Sequence, residues 1–384
     1  MREWIKLGMA AMVVAGASGT AFAQSPPMPP SAIRADEATQ LATGWTLITE
    51  GKHAEAAQLA SQVLARNPRS VPALSLLIEA DIARAGSTTA LASYESWLGA
   101  RTLEEPGVLR RIARAALQEW ARQDKDVQAR AEAFKALVAE GDPDALSVLT
   151  ASAGAGAEND LRILAALGNE QAIDRLIGQL KTAQGMKLRE IRVLGDSRNP
   201  RAAAALVAVL TDPLPQNRAA AADALGNLNR LDVVPHLKAL LNDMHGQVRL
   251  SAAGALFRLG DRSGETLLRE LAASESFAER RSAALLLSSQ PDEAWKALVR
   301  GLAAAPDAPT RLDAAKLMID HDPEFSRAVF EGLRADENLA IREEADLALS
   351  QSPLAGFAAL RQYLRAGTGL VKVRAAARLL VFTR

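Results

Sequence analysis

The stretch "QVRLSAAGALFRLGD", residues 247–261, decides the fold. Arg249 stands near its start, Ala252 follows three positions later, and Leu256 four beyond that. Steps of three and four place a small and a large apolar side chain on one helix face. The stretch closes on Leu-Gly-Asp, and glycine after the last periodic residue is a helix stop. A helix with an alanine stripe buries little by itself and is held mainly by a neighbouring backbone that comes close.

The pattern recurs. Arginines stand at Arg218, Arg249, Arg280, Arg311 and Arg342, each 31 residues from the last, and Arg374 follows after 32. Three residues beyond each stands an alanine: Ala221, Ala252, Ala283, Ala314, Ala345 and Ala377. Seven beyond stand Leu225, Leu256, Leu287, Met318, Leu349 and Val381. Between them lie second helical segments, such as "VVPHLKALLND" (233–243), "SGETLLRELAAS" (263–274) and "DEAWKALVRGLAA" (292–304). Each unit is therefore two helices and short turns. A single hairpin of this kind cannot cover its own apolar face, so neighbours must stack. No alternating run bounded by hairpin turns competes, so strands should be nearly absent. The expected fold class is all-α, a right-handed α-solenoid of stacked helical hairpins.

At this point the chain resembles the HEAT-repeat family, in the short form found in phycobilisome-lyase-like proteins. The likeness rests on Asp243, Arg249, Ala252 and Leu256, read as D-x5-R-x2-A-x3-L. Asp212 with Arg218 and Asp336 with Arg342 keep that offset, Ser274 replaces the acid before Arg280, and Asp307 lies four before Arg311. The resemblance implies that Asp212, Arg218, Asp243, Arg249, Arg280, Arg311, Asp336, Arg342 and Arg374 form a structural ladder between repeats. An acid at a helix N-terminus both caps and pairs, which fits that role. The other use of such a row is to grip an anionic partner. Leu161–Leu180 and Leu188–Leu210 read as degenerate repeats of irregular spacing.

The first third differs. "GWTLITEGKHAEAAQLASQVLARNP" (44–68) resembles the tetratricopeptide repeat (TPR), with Gly44, Gly51, Ala56 and Pro68 at that family's small-residue and proline positions. Ala90 and Tyr94 repeat Ala56 and Ala60 at a step of 34, so two copies span about residues 36–100. Asp142-Pro143 reads as a helix start and marks a domain boundary. Expected domains are a signal peptide at 1–23, a proline-rich linker at 24–35, a TPR-like region at 36–141 and a HEAT-like solenoid at 142–384.

The signal rests on Arg2 and Lys6, the apolar run Leu7–Ala17, and Ala21-Phe22-Ala23 before Gln24. Eleven apolar residues rise about 16 Å as a helix, well short of a hydrocarbon core of about 30 Å. An uncleaved anchor is the competing reading. No later segment reads as transmembrane. The expectation is a periplasmic or secreted protein, and the absence of cysteine removes disulfides and thiol chemistry.

Lys and Arg total 45 and Asp and Glu total 45, so no basic excess favours nucleic acid. Four histidines, His53, His236, His245 and His321, show no metal spacing, and no glutamate directly follows any of them as a paired iron-binding step would require. No phosphate loop or nucleophile elbow appears. No cofactor is expected. The favoured function is a non-catalytic scaffold that binds a protein or peptide on its concave face. Positions two, five and nine after each arginine face away from the alanine stripe. They nominate Ser251, Arg258, Ser282, Ser289, Asp313, Lys316, Asp320, Glu344 and Gln351 as partner-binding residues, with Trp97 and Trp120 as groove aromatics. Alternatives are a chromophore-lyase-like or metal-dependent HEAT enzyme, and a structural envelope component. Leu379 to Phe382 make an apolar end, so the C-terminal helix is expected to dock on a second copy, a partner or the array's own groove.

Overall fold

The structure, a computed structural model, describes residues 30–99, 103–123, 126–350, 356–367 and 369–383. Among the described residues all regular structure is helical, in 22 α-helices and three short 3₁₀ turns. The signal peptide expected at 1–23 lies outside the described residues. Contacts divide the chain into two compact units, Met1–Glu140 with Gly356–Arg384, and Gly141–Ala355.

The first unit begins with α1 (Pro30–Thr49), α2 (His53–Arg66), α3 (Val71–Ala85), α4 (Ser87–Leu98), α5 (Pro106–Ala121) and α6 (Val127–Ala139). Helix α1 starts within the stretch expected to be an extended linker over 24–35, because proline costs nothing in a first turn whose N–H groups have no helical partner. Ala56, Ala60, Ala73 and Ala80 are fully buried, so α2 and α3 pack at close range. A Cβ on Gly44 would lie 2.2 Å from Leu76 Cδ2, so any larger residue there requires the buried Leu76 side chain to shift. Glu119 on α5 caps α4, accepting from Ser87 N at 2.6 Å and Ser87 Oγ at 2.7 Å. Buried Tyr94 donates its hydroxyl to Glu104 at 2.9 Å and accepts from Glu105 N at 2.8 Å.

After fourteen helices of the second unit the chain returns as α21 (Gly356–Ala366) and α22 (Gly369–Phe382). Helix α22 lies along α5 and α6, burying Val371, Val373, Leu379 and Leu380. Arg110 donates to the Leu380 carbonyl at 2.8 Å, and Arg365 pairs with Glu95 at 2.9 Å. Arg361 pairs with Glu104. This corrects the expectation that the solenoid runs to Arg384. The repeat pattern marks α22 as a helix with an alanine stripe, but the face that covers it belongs to α5. It also removes the reason for self-association, since Leu379 and Leu380 are covered by the same chain. Trp120 is not a groove aromatic either: a Cβ on Gly369 would come within 2.9 Å of its ring.

The second unit opens with α7 (Pro143–Gly154), α8 (Glu158–Ala166), α9 (Glu170–Thr182), α10 (Leu188–Asp196) and α11 (Ala203–Val209). It continues with α12 (Pro215–Asn227), α13 (Val234–Leu240), α14 (Gly246–Arg258), α15 (Glu265–Ala272) and α16 (Phe277–Leu287). Helices α17 (Glu293–Leu302), α18 (Ala308–Met318), α19 (Pro323–Leu333) and α20 (Leu339–Ser350) complete it. Aspartates start three consecutive late helices, Asp292, Asp307 and Asp322 accepting from Trp295 N, Thr310 N and Phe325 N at 2.7, 2.8 and 3.1 Å. Even-numbered helices from α8 to α20 touch in unbroken succession, whereas successive odd-numbered ones barely meet. A stack tight along one row and open along the other bends toward the tight row. The arginine-bearing helices therefore line its inner side.

The tight row depends on missing side chains. A Cβ on Gly195 would meet Ala224 Cβ at 2.6 Å, and one on Gly226 would meet the Ala255 Cα at 2.8 Å. The positions of Ala224 and Ala255 are taken by Leu286 and Leu317 one and two repeats later, and the row loosens there. In the later core Trp295 is fully buried, donates to the Ala284 carbonyl at 2.8 Å, and meets His321 edge-on at 5.4 Å.

Candidate interaction surface

Each ladder arginine of the second unit does the same thing. Its Nη1 donates to the carbonyls six and five residues back, in the loop that enters its helix. Arg218 reaches Asp212 O and Pro213 O at 2.8 and 3.2 Å, and Arg249 reaches Asp243 O and Met244 O at 2.8 and 3.3 Å. Arg280 takes Ser274 O and Glu275 O at 2.8 and 3.0 Å, and Arg311 takes Ala305 O and Pro306 O at 2.8 and 2.7 Å. Arg342 takes Asp336 O and Glu337 O at 2.6 and 3.0 Å. The guanidinium thus ties down loop carbonyls that no helix satisfies. Arg374 belongs to α22 in the first unit, so it does not extend this row.

The carboxylates point the other way, to the preceding repeat. Asp243 takes a two-pronged bond from Arg218, Nε at 2.8 Å and Nη2 at 3.0 Å, and Asp336 lies 3.5 Å from Arg311 Nη2. The hydrogen bond from Arg218 outweighs burial and holds the Asp243 carboxyl down to about 2. Asp212 is served by Lys187 at 3.2 Å. Burial opposes its charge, yet the Leu214 N–H, Asn217 and Lys187 keep its pKa below the ordinary value. Lys187 stands one 31-residue step before Arg218, a register position that an arginine search passes over.

A second ladder joins the outer row, and sequence reading missed it. Lys238 pairs with Asp261 at 2.7 Å, Arg269 with Asp292 at 2.6 Å, and Arg300 with Asp322 at 2.9 Å. The bases recur at 31 residues, which is a legible signal. Lys238, then Ser263, hold the Asp261 carboxyl to about 2.

Several residues nominated for partner binding prove to be internal fasteners. Ser251 is buried and donates to Asp223 at 3.0 Å, and Arg258 reaches the same carboxylate at 3.3 Å. Asp313 pairs with Arg281, and Lys316 with Glu344 at 2.8 Å. Trp97 donates to the Pro68 carbonyl at 2.8 Å in the first unit. Gln351 lies outside the described residues. Ser282, Ser289 and Asp320 remain exposed, beside Leu285.

Offsets of five and nine from Lys187 give Arg192 and Asp196, and offsets of two, five and nine from Arg218 give Ala220, Asp223 and Asn227. With Leu188 and Ala224 these line a depression of about 270 Å³ between α10 and α12. Burial pushes the Asp223 carboxyl above the usual carboxylate range, against the pull of Arg258 and Ser251. Among the described residues no group of three or more His, Asp or Glu is placed to hold a metal, and no helix is long and apolar enough to cross a membrane.

Residues 186–256 match the family of HEAT repeats. No curated protein matches the chain. Among solved structures it is similar to the CpcE–CpcF complex of phycocyanin lyase from a Nostoc species, at 20% identity over 63% of this chain and 92% of that one, TM-score 0.38. Human deoxyhypusine hydroxylase is similar at 20% identity over 72% and 98%, TM-score 0.31. An engineered protein is similar at 18% identity over 90% and 98%, TM-score 0.28. Likenesses at these scores do not bear on activity. Residues 186–256 thus carry HEAT repeats, set inside an array that is all-α among the described residues.

Proposed function

We propose that the chain is an exported, non-catalytic scaffold that binds a protein or peptide partner on the inner row of its second unit. The observation that carries this reading is the depression between α10 and α12, set in the row whose helices are joined by the arginine ladder. Binding without chemistry gains most from groups already held in place. Asp223, Ser251 and Arg258 form such a support, and Arg192, Asp196 and Asn227 stand exposed above it. The mixture of charges and small polar groups suits a polypeptide partner.

The test uses the mature chain as bait beside a variant carrying Asp196→Arg and Asn227→Arg. A partner retained by the wild type, lost by the variant and bound again as a purified component supports the proposal. Equal capture by both sinks it. Export is tested separately by sequencing the N-terminus of the protein from the periplasmic or secreted fraction. A start at Gln24 is the expected result, and an intact Met1 chain confined to the cytoplasm counts against it.

A further inference from the structure

We infer that Arg280 is a carboxylate-binding site, whose occupant is an acidic side chain on an extended segment of a partner protein. The inner ladder supplies its own reference geometry. At Arg218 the guanidinium is anchored through Nη1 by two loop carbonyls, and the Nε and Nη2 edge takes both oxygens of Asp243 at 2.8 and 3.0 Å. Arg280 is anchored identically, by Ser274 O and Glu275 O, and lies over Phe277 with its Cζ 4.2 Å from the ring centroid. Its outward edge differs. The residue 25 positions on, aspartate for Arg218 and Arg311, is here Ala305.

The nearby acids are engaged elsewhere. Glu279 accepts from Ser274 Oγ, and Asp307 caps the Thr310 N–H. Arg249 is a weaker candidate, because its corresponding position is Ser274, a polar side chain that itself holds Glu279. Arg280 instead borders a groove of about 460 Å³ lined by Ala272, Ala273, Ala294, Ala297, Leu298 and Gly301. Arg269, also in its wall, is spent on Glu265 and Asp292 at 3.2 and 2.6 Å. A lining made mostly of alanine and glycine leaves room for a backbone, and a preset guanidinium edge recognises a carboxylate by two parallel bonds. This site lies outside the depression between α10 and α12, so either proposal can fail alone.

The experiment labels the arginines of the full chain with ¹⁵N and titrates acetyl-Ala-Glu-Ala-amide, its glutamine counterpart, and inorganic phosphate at matched ionic strength. The glutamate peptide should shift the Arg280 Nε–H signal saturably, with no shift at Arg218. The glutamine peptide should bind roughly tenfold more weakly or not at all, as expected for loss of a charge-assisted pair. Ala305→Asp should fill the rung from within and abolish the Arg280 response. Arg280→Gln should abolish glutamate-peptide binding if Ala305→Asp does not fold, with an unchanged Arg218 Nε–H signal showing that the neighbouring repeats keep their structure. Equal shifts at Arg218 and Arg280, equal binding of both peptides, or phosphate outcompeting the glutamate peptide would each overturn the inference.

Discussion

Adding one methyl group should have opposite effects at different glycines of the second unit. Gly226→Ala gains helix propensity worth up to about 1 kcal/mol. The new Cβ, however, would sit 2.8 Å from the Ala255 Cα and 2.9 Å from its Cβ, where ordinary contacts are 3.4–4 Å. The obstacle is backbone, so relief requires moving α14 off α12 by more than half an ångström, breaking the tightest interface of the array. Overpacking of this kind costs about 1–3 kcal/mol, so after the propensity gain the net effect is a loss of up to about 2 kcal/mol. Gly195→Ala meets Ala224 at 2.6 Å and should behave alike. Gly254→Ala meets only the tip of Leu286, at 2.4 Å, which can rotate, and should be near neutral. Gly178→Ala, in α9, has nothing within 4 Å and should stabilise by about 0.5–1 kcal/mol. Urea unfolding followed by far-UV circular dichroism ranks the four variants by midpoint, a safer measure than a two-state free energy in a repeat array. If Gly226→Ala and Gly178→Ala moved the midpoint in the same direction, close backbone approach would not be what holds the inner row.

A double-mutant cycle of Arg218→Met and Asp243→Asn should return a coupling of about 1–3 kcal/mol, because roughly a tenth of each side chain is exposed. The looser Arg311–Asp336 pair should return less. Acid should loosen both ladders. The Asp243 and Asp261 carboxyls are held down to about 2, below the ordinary aspartate value, so their contribution is complete above about pH 4 and is lost as pH falls toward 2. For Asp243 this amounts to about 1–2 kcal/mol after allowing for solvent screening, read as a fall in urea midpoint that Asp243→Asn abolishes. Leu380→Asp should destabilise the first unit by 3 kcal/mol or more, roughly, as an unpaired buried charge. Val381→Asp, at a half-exposed position, should change stability by about 0.5 kcal/mol or less. Thermal unfolding of both variants, with sedimentation to confirm an unchanged assembly state, checks the pair.

The repeat was legible because arginine, alanine and leucine recur in one register, and that register follows from a helix face meeting a neighbour every 31 residues. The outer ladder obeys the same period, but its bases mix lysine with arginine and its acids fall at 261, 292 and 322, so it passes for ordinary surface charge. Helical geometry gave the direction of Ser251 but not its surroundings. Gly254 admits Leu286 and Gly226 admits Ala255, so α14 is covered on the side that the three-and-four spacing would leave to solvent. Helix α22 makes the same point at larger scale. Its alanine stripe is indistinguishable from that of α14, yet Ile112, Ala113 and Ala116 belong to the buried face of α5, and the returning chain packs there. A stripe specifies that something must come close; which element does so depends on competing faces elsewhere in the chain. Arg280 inverts the lesson. Its neighbour can be named from a step of 25 residues, and because that neighbour is Ala305, the sequence itself marks where a carboxylate from outside the chain would complete the row.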